Sequence, residues 1–158
     1  VDAGAGSRWT EKEREQFGLA RVDVRDAVRA NDIALSAVTD VILTHLHFDH
    51  AGGAVDEQGQ PVFPKAQYWV QEDALAWARN PTERDAGSFR SEDFEPLSAS
   101  GCLQTIVGTA SPLEHIQFRI SHGHTRGLQI PVIANRLVFP ADLVPTTSHV
   151  LFAMGPRP

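Results

Sequence analysis

The chain of 158 residues holds one cysteine, Cys102, and one methionine. A lone thiol makes no intrachain disulfide and no cysteine-rich structural zinc site, so any metal chemistry must rest on His, Asp and Glu. Basic residues are scarce as well: 14 Lys and Arg against 20 Asp and Glu leave a net charge of -6. Binding to a phosphate backbone depends on clustered Lys and Arg, so nucleic acid is not an expected partner. No apolar run approaches the ~20 residues that cross a bilayer, and the first residues show no charged segment followed by an apolar one. The chain reads as a soluble protein, with the cytoplasm favoured and no membrane partner. Repeats and low-complexity tracts are absent. A composition that is 42% hydrophobic and 22% charged suits one domain with its own core over residues 1–158.

Periodicity gives the order of elements. "TEKEREQFG" and "DVRDAVRANDI" place Phe17, and then Val24, Ala27 and Val28, at loosely helical spacing, which predicts short charged helices or turns. Residues 41–44 read as a brief β-branched strand ending at His45. "QYWVQ" reads as a strand and "EDALAWARN" as a helix stopped near Pro81. Residues 81–100 are polar and without period, which predicts a loop or lid. "LQTIV", "IQFRI", "LQIPVIA" and "RLVFP" follow as short strands, so the middle is α/β and the second half mostly β. Both ends read as cut. "VDAGAG" looks like the close of a strand entering a turn, and "LFAMGPRP" stops in a turn.

The densest chemistry lies in "VILTHLHFDHAGG", residues 41–53. His45 and His47 are two apart, so in an extended chain their rings share one side, with Cα atoms roughly 6–7 Å apart. Asp49 and His50 follow once the chain bends, aimed at a neighbouring position. Gly52 and Gly53 permit a tight backbone beside a crowded site. With seven histidines in the chain, a chance H-x-H-x-D-H is on the order of one in a thousand, so the motif is specific. Imidazole and carboxylate without thiolate suit zinc, with iron, manganese or cobalt as substitutes. Two such ions about 3.5–4 Å apart would activate a bridging hydroxide toward a carbonyl or phosphoryl centre. "SHGHTRG" adds His122 and His124 in a turn between strands, and "LVFPAD" ends a strand on Asp142, a candidate bridging carboxylate.

"VDAGAG", "THLHFDHAGG", "GHT" and "FPAD", in this order, resemble the metallo-β-lactamase superfamily over nearly the whole chain. The resemblance implies an α/β fold, an αββα sandwich with a dinuclear site at one edge of its sheets, here incomplete at both ends. It implies that His45, His47 and His124 hold the first metal, that Asp49 and His50 hold the second, and that Asp142 bridges. Asp2 matches the family's Asp-x-Gly turn near the site, a supporting position. "FPKAQYWVQEDALAWA" and "FPADLVPTTSH" look most like the branch of N-acyl homoserine lactonases and methyl parathion hydrolase. The last histidine of that branch lies well downstream of the Asp strand. His149, the only histidine after Asp142, is the one residue that could take its place, in a rearranged site.

The implied function is a two-zinc hydrolase of an ester, lactone or phosphotriester, with Asp49 also moving a proton. The competing reading is a metal-binding but inactive subunit whose uncapped sheet edge pairs with another copy. A nuclease of the same superfamily is disfavoured by the acidic charge. Arg126, where the family more often has Pro, is read either as a positive charge at the pocket mouth or as a solvated surface residue. His122 is either a donor to the site or an exposed turn residue, and His115 is structural. Cys102, Trp69 and Trp77 are expected in the core, whereas Trp9, Phe89 and Phe94 are open to a substrate role.

Overall fold

Val41, Ile42 and Leu43 are consecutive apolar residues, and the period-two pleat of a strand sends them to opposite faces. In a computed structural model, which describes residues 1–19 and 23–154, Val41 and Leu43 join a large core while Ile42 joins a smaller one. The strand that carries them, β1 (Asp40–Ile42), pairs in parallel with β2 (Gln67–Gln71), which pairs in parallel with β3 (Leu103–Ile106). Val41, Tyr68 and Leu103 stand in register and face the large core; Ile42 and Trp69 face the small one. A parallel pair needs a crossover, and those between the strands carry helices.

Helices α1 (Glu11–Phe17) and α2 (Val24–Arg29) precede β1, α3 (Phe48–Ala51) lies between β1 and β2, and α4 (Glu72–Arg79) and α5 (Glu95–Ala99) lie between β2 and β3. Ala74, Leu75 and Ala78 recur on one stripe of α4 and are buried with Leu97 of α5 against the sheet. Val24 and Val28 of α2 pack on the same core.

The second half forms an antiparallel sheet of β4 (Ile116–Ser121), β5 (Leu128–Ile133) and β6 (Leu137–Val138). Phe118 from β4 is fully buried with Ile42 and Ile106, so the small core lies between the sheets. Gln129 of β5 bolts them together. Its backbone N–H donates to the Thr44 carbonyl (2.9 Å), and its amide donates to the carbonyls of Leu43 (2.8 Å) and Trp69 (2.9 Å). Its side-chain oxygen accepts from Gln71 Nε2 at 3.1 Å. The layers thus run helices, parallel sheet, antiparallel sheet, the α/β sandwich expected.

Two expectations are corrected. Residues 81–100 are not structureless, because α5 forms there with Pro96 in its first turn, where a missing N–H costs nothing. Phe94 and Leu97 from this segment are core residues, so Phe94 is not open to substrate. Helix α6 (Thr147–Met154) takes in the first half of "LFAMGPRP"; the turn expected at its end falls on residues 155–158, which lie outside the described residues. No described helix is long and apolar enough to cross a membrane.

Candidate metal centre

Past its last paired residue, Ile42, the chain of β1 bends at Thr44 and runs on toward α3. His47 has φ -65° and ψ 150° before α3 begins at Phe48. His45 and His47 project to one side, with ring centroids 4.5 Å apart. The single turn of α3 then brings His50 back, its ring 4.1 Å from that of His45. His124, in the loop between β4 and β5, arrives from the other sheet, with its ring 5.0 Å from His45 and 4.9 Å from His47. His124 Nε2 is 3.1 Å from His47 Nδ1.

Asp142 completes the cluster from a 3-10 turn, Ala141–Leu143, rather than from the strand end expected, because β6 stops at Val138. One of its oxygens is 3.3 Å from His50 Nε2 and the other 3.4 Å from His124 Nε2. It spans the two sides of the cluster. Two groups result in which every residue offers a ligand atom within 4.8 Å of the others: His45, His47 and His124; and His45, His50 and Asp142. His45 belongs to both.

The first residues of the chain orient these rings. Asp2 N–H donates to the Ile42 carbonyl, and the Asp2 carboxylate accepts from Thr44 N–H (2.7 Å) and the Thr44 hydroxyl (2.9 Å). The same Oδ2 lies 2.9 Å from His50 Nδ1. The Thr44 hydroxyl, its proton given to Asp2, accepts from His45 Nδ1 at 3.0 Å. Both Nδ1 atoms thus carry protons, and both Nε2 atoms are left as acceptors turned to the cluster. Thr44, which sequence reasoning passed over, is the link; its place directly before His45 was the available signal. Gly53 lets Asp2 come this close. A Cβ there would stand 2.1 Å from the Ala3 carbonyl oxygen, and one at Gly52 would stand 2.4 Å from that of Ala5. Neither glycine has positive φ, so they supply room rather than an unusual turn.

The site fits a cation on its own evidence. His45 Nε2 is buried without a hydrogen-bond partner, and such an acceptor costs about 1–3 kcal/mol unless something satisfies it. Burial, with the neighbouring histidines, pushes the His45 pKa down to about 2. Burial and His124 push His47 down to about 4. Each is therefore neutral at pH 7, the form that ligates metal. At His50 burial also opposes charge, but the hydrogen bond to Asp2 and the charges of Asp2, Asp49 and Asp142 outweigh it and raise the pKa. The donor set is nitrogen and oxygen without sulfur, which suits zinc and its first-row neighbours.

Asp49 stands apart from both groups, half-exposed, with Oδ2 3.7 Å from His50 Nε2. His149 is exposed beside Thr146, at 2.8 Å, and joins neither group. Phe89 lies at the site, its ring 4.8 Å from His47. Trp9 packs on Phe48 at 5.0 Å and carries Arg90 over its ring at 4.1 Å. His122 is exposed, its Nδ1 accepting from Gly127 N–H. His115 is an exposed turn residue with φ 61°. Trp69 and Trp77 are only half-buried, as is Cys102.

The sequence model of the metallo-beta-lactamase superfamily matches residues 1–153. The chain belongs to the metallo-beta-lactamase superfamily. Among solved structures, a probable metal-dependent hydrolase from Staphylococcus aureus superposes with a TM-score of 0.85 at 27% identity, over 94% of this chain and 55% of that one. AidC, a dizinc quorum-quenching lactonase, gives 0.70 at 22% identity over 90% of this chain and 51% of its own. The hydrolase AbOPH gives 0.73 at 21% over 90% and 51%. These last two show likeness of fold. The chain spans about half the length of the solved structures it matches. No curated protein matches it. Members of the metallo-beta-lactamase superfamily bind divalent metals, and this member brings together, around His45, two groups of side chains that could hold a metal ion.

Proposed function

We propose that this chain supplies the metal centre of a two-zinc hydrolase acting on a small ester, lactone or phosphotriester. The observation that carries the proposal is the pair of ligand groups sharing His45, whose buried Nε2 has no partner. His45, His47 and His124 would hold one cation, and His50 with Asp49 the other. Asp142, with one oxygen toward each side, would bridge. Iron, manganese or cobalt could replace zinc in such a donor set. Bound there, the cations would supply activation of water and stabilisation of a developing oxyanion.

The protein's own part is orientation and proton handling. Asp2 and Thr44 hold His50 and His45 in the tautomer that leaves Nε2 free. Asp49, half-exposed beside His50, would accept a proton from the attacking water and return it to the leaving group. Phe89, edge-on to His47, would cover the acyl group. Lactonase chemistry in AidC is that protein's own; here it supports the choice of carbonyl substrates. Self-association through the β6 edge, where Leu137 and Val138 are exposed, belongs to the same proposal and is read by light scattering.

The test is hydrolysis of neutral lactones and aryl esters by the zinc-loaded chain, with Asp142→Asn and His47→Ala beside it. Turnover that chelator removes, and that falls at least about a hundredfold in both variants, supports the reading. Metal binding with no hydrolysis by any metal form would favour a metal-binding subunit.

A further inference from the structure

A cavity of about 680 Å³ opens between α4, the residues after it and the loop joining β4 to β5, with His124 in its wall. The cavity is built firmly. Gly127 (φ 74°) sits so close to the first turn of α4 that a Cβ would meet Ala74 N at 2.5 Å. Gly127 N–H donates to His122 Nδ1 at 3.2 Å, which places the His122 proton on Nε2 and makes that atom a donor. Trp77 is the one large apolar wall, and its indole N–H is buried without an acceptor.

Four charges line the cavity. Asp85 accepts the Thr82 hydroxyl at 3.0 Å. Asp73 is 3.9 Å from Arg126 Nη2, beyond hydrogen-bond length, and both side chains are more than half exposed, so the pair is loose. Arg84 has no ion-pair partner among the described residues. Two guanidinium groups with free N–H donors, and a histidine fixed as a donor, therefore border the cluster through His124. An alkyl tail would find little apolar surface there apart from Trp77.

We propose that this cavity binds a carboxylate carried on the acyl part of the substrate, with Arg126 and Arg84 as its cationic partners and His122 Nε2–H as a further hydrogen-bond donor. The proposal rests on the hydrolase reading for the word substrate, but its binding test does not require turnover. Calorimetry on the zinc-loaded chain compares glutarate and adipate with butyrate and pentanoate. Each acid offers one carboxylate to the metals, and only the first two offer a second to the cavity. The expected result is a dicarboxylate preference of about tenfold, the scale of a charge-assisted hydrogen bond. It should disappear in Arg84→Ala/Arg126→Ala with monocarboxylate affinity unchanged, and the Trp77 indole N–H resonance, assigned with Trp77→Phe, should shift with glutarate alone. Equal affinities, no binding by any dicarboxylate, or a preference that survives the double substitution would overturn it. Loss of ester hydrolysis with the preference intact would count against the hydrolase reading and leave this one standing.

Discussion

Asp2 and His50, 48 residues apart in sequence, are joined by a 2.9 Å hydrogen bond, and the same carboxylate oxygen receives the hydroxyl of Thr44, which in turn receives His45 Nδ1–H. One side chain at the start of the chain therefore orients two histidines of the cluster. Asp2→Ala should weaken zinc binding by about 10–100-fold, the usual cost of losing an outer partner of a metal ligand. Competition with a chromogenic chelator measures it. Unchanged affinity would mean that the relay does no orienting.

The backbone approach behind that relay predicts a steric effect. A Cβ at position 53 would stand 2.1 Å from the Ala3 carbonyl. Gly53→Ala should cost about 2–3 kcal/mol in urea unfolding, at the upper end of overpacking penalties, and should also weaken zinc binding because Asp2 is displaced. A variant as stable as the parent would show that the first residues do not lie across residues 52 and 53.

Gln129 is fully buried and makes its bonds to Leu43, Trp69 and Gln71 from one amide. Gln129→Leu keeps the apolar bulk and leaves those groups without a partner, a loss of about 2–3 kcal/mol. Chemical denaturation reads it, and a change below about 0.5 kcal/mol would contradict the role assigned to Gln129.

Asp93 gives a pH signature away from the cluster. Burial pushes its carboxyl up to about 6 from an ordinary 3.8, against the pull of Arg8, which it contacts, and of Arg90. An acid whose pKa rises on folding favours the native state most at low pH. Its contribution is full below about pH 4 and lost as pH rises through about 6. Relative to the parent, Asp93→Asn should therefore gain about 2–3 kcal/mol in unfolding free energy between pH 4 and pH 7, whatever constant cost follows from altering the Arg8 contact. Parallel pH profiles would refute it.

The residues of the cluster were legible because their chemistry is local: H-x-H-x-D-H is improbable by chance, and a short run of chain followed by one helical turn is enough to make its rings converge. The strands of both sheets were legible from β-branched and aromatic runs, "QYWVQ" to the residue. Helix α5 was not, since Glu95, Pro96 and Ser98 hide the single buried contact, Leu97, that secures it. Thr44 and Gln129 were missed for a different reason. A hydroxyl or amide shows its value only when distant backbone carbonyls and rings are brought against it. Asp142 was found by position, but its 3-10 turn was not, because Pro140 ends β6 sooner than the apolar run suggests.

Two cations side by side in this centre, one held by His45, His47 and His124, the other by His50 and Asp49, with Asp142 between them, are what the proposed function most depends on. Elemental analysis of the chain after zinc loading and desalting tests this most directly. Two equivalents are expected in the parent chain, and loss of tight binding of at least one of them in His45→Ala. Zero or one equivalent in the parent chain, or two retained by His45→Ala, would contradict it.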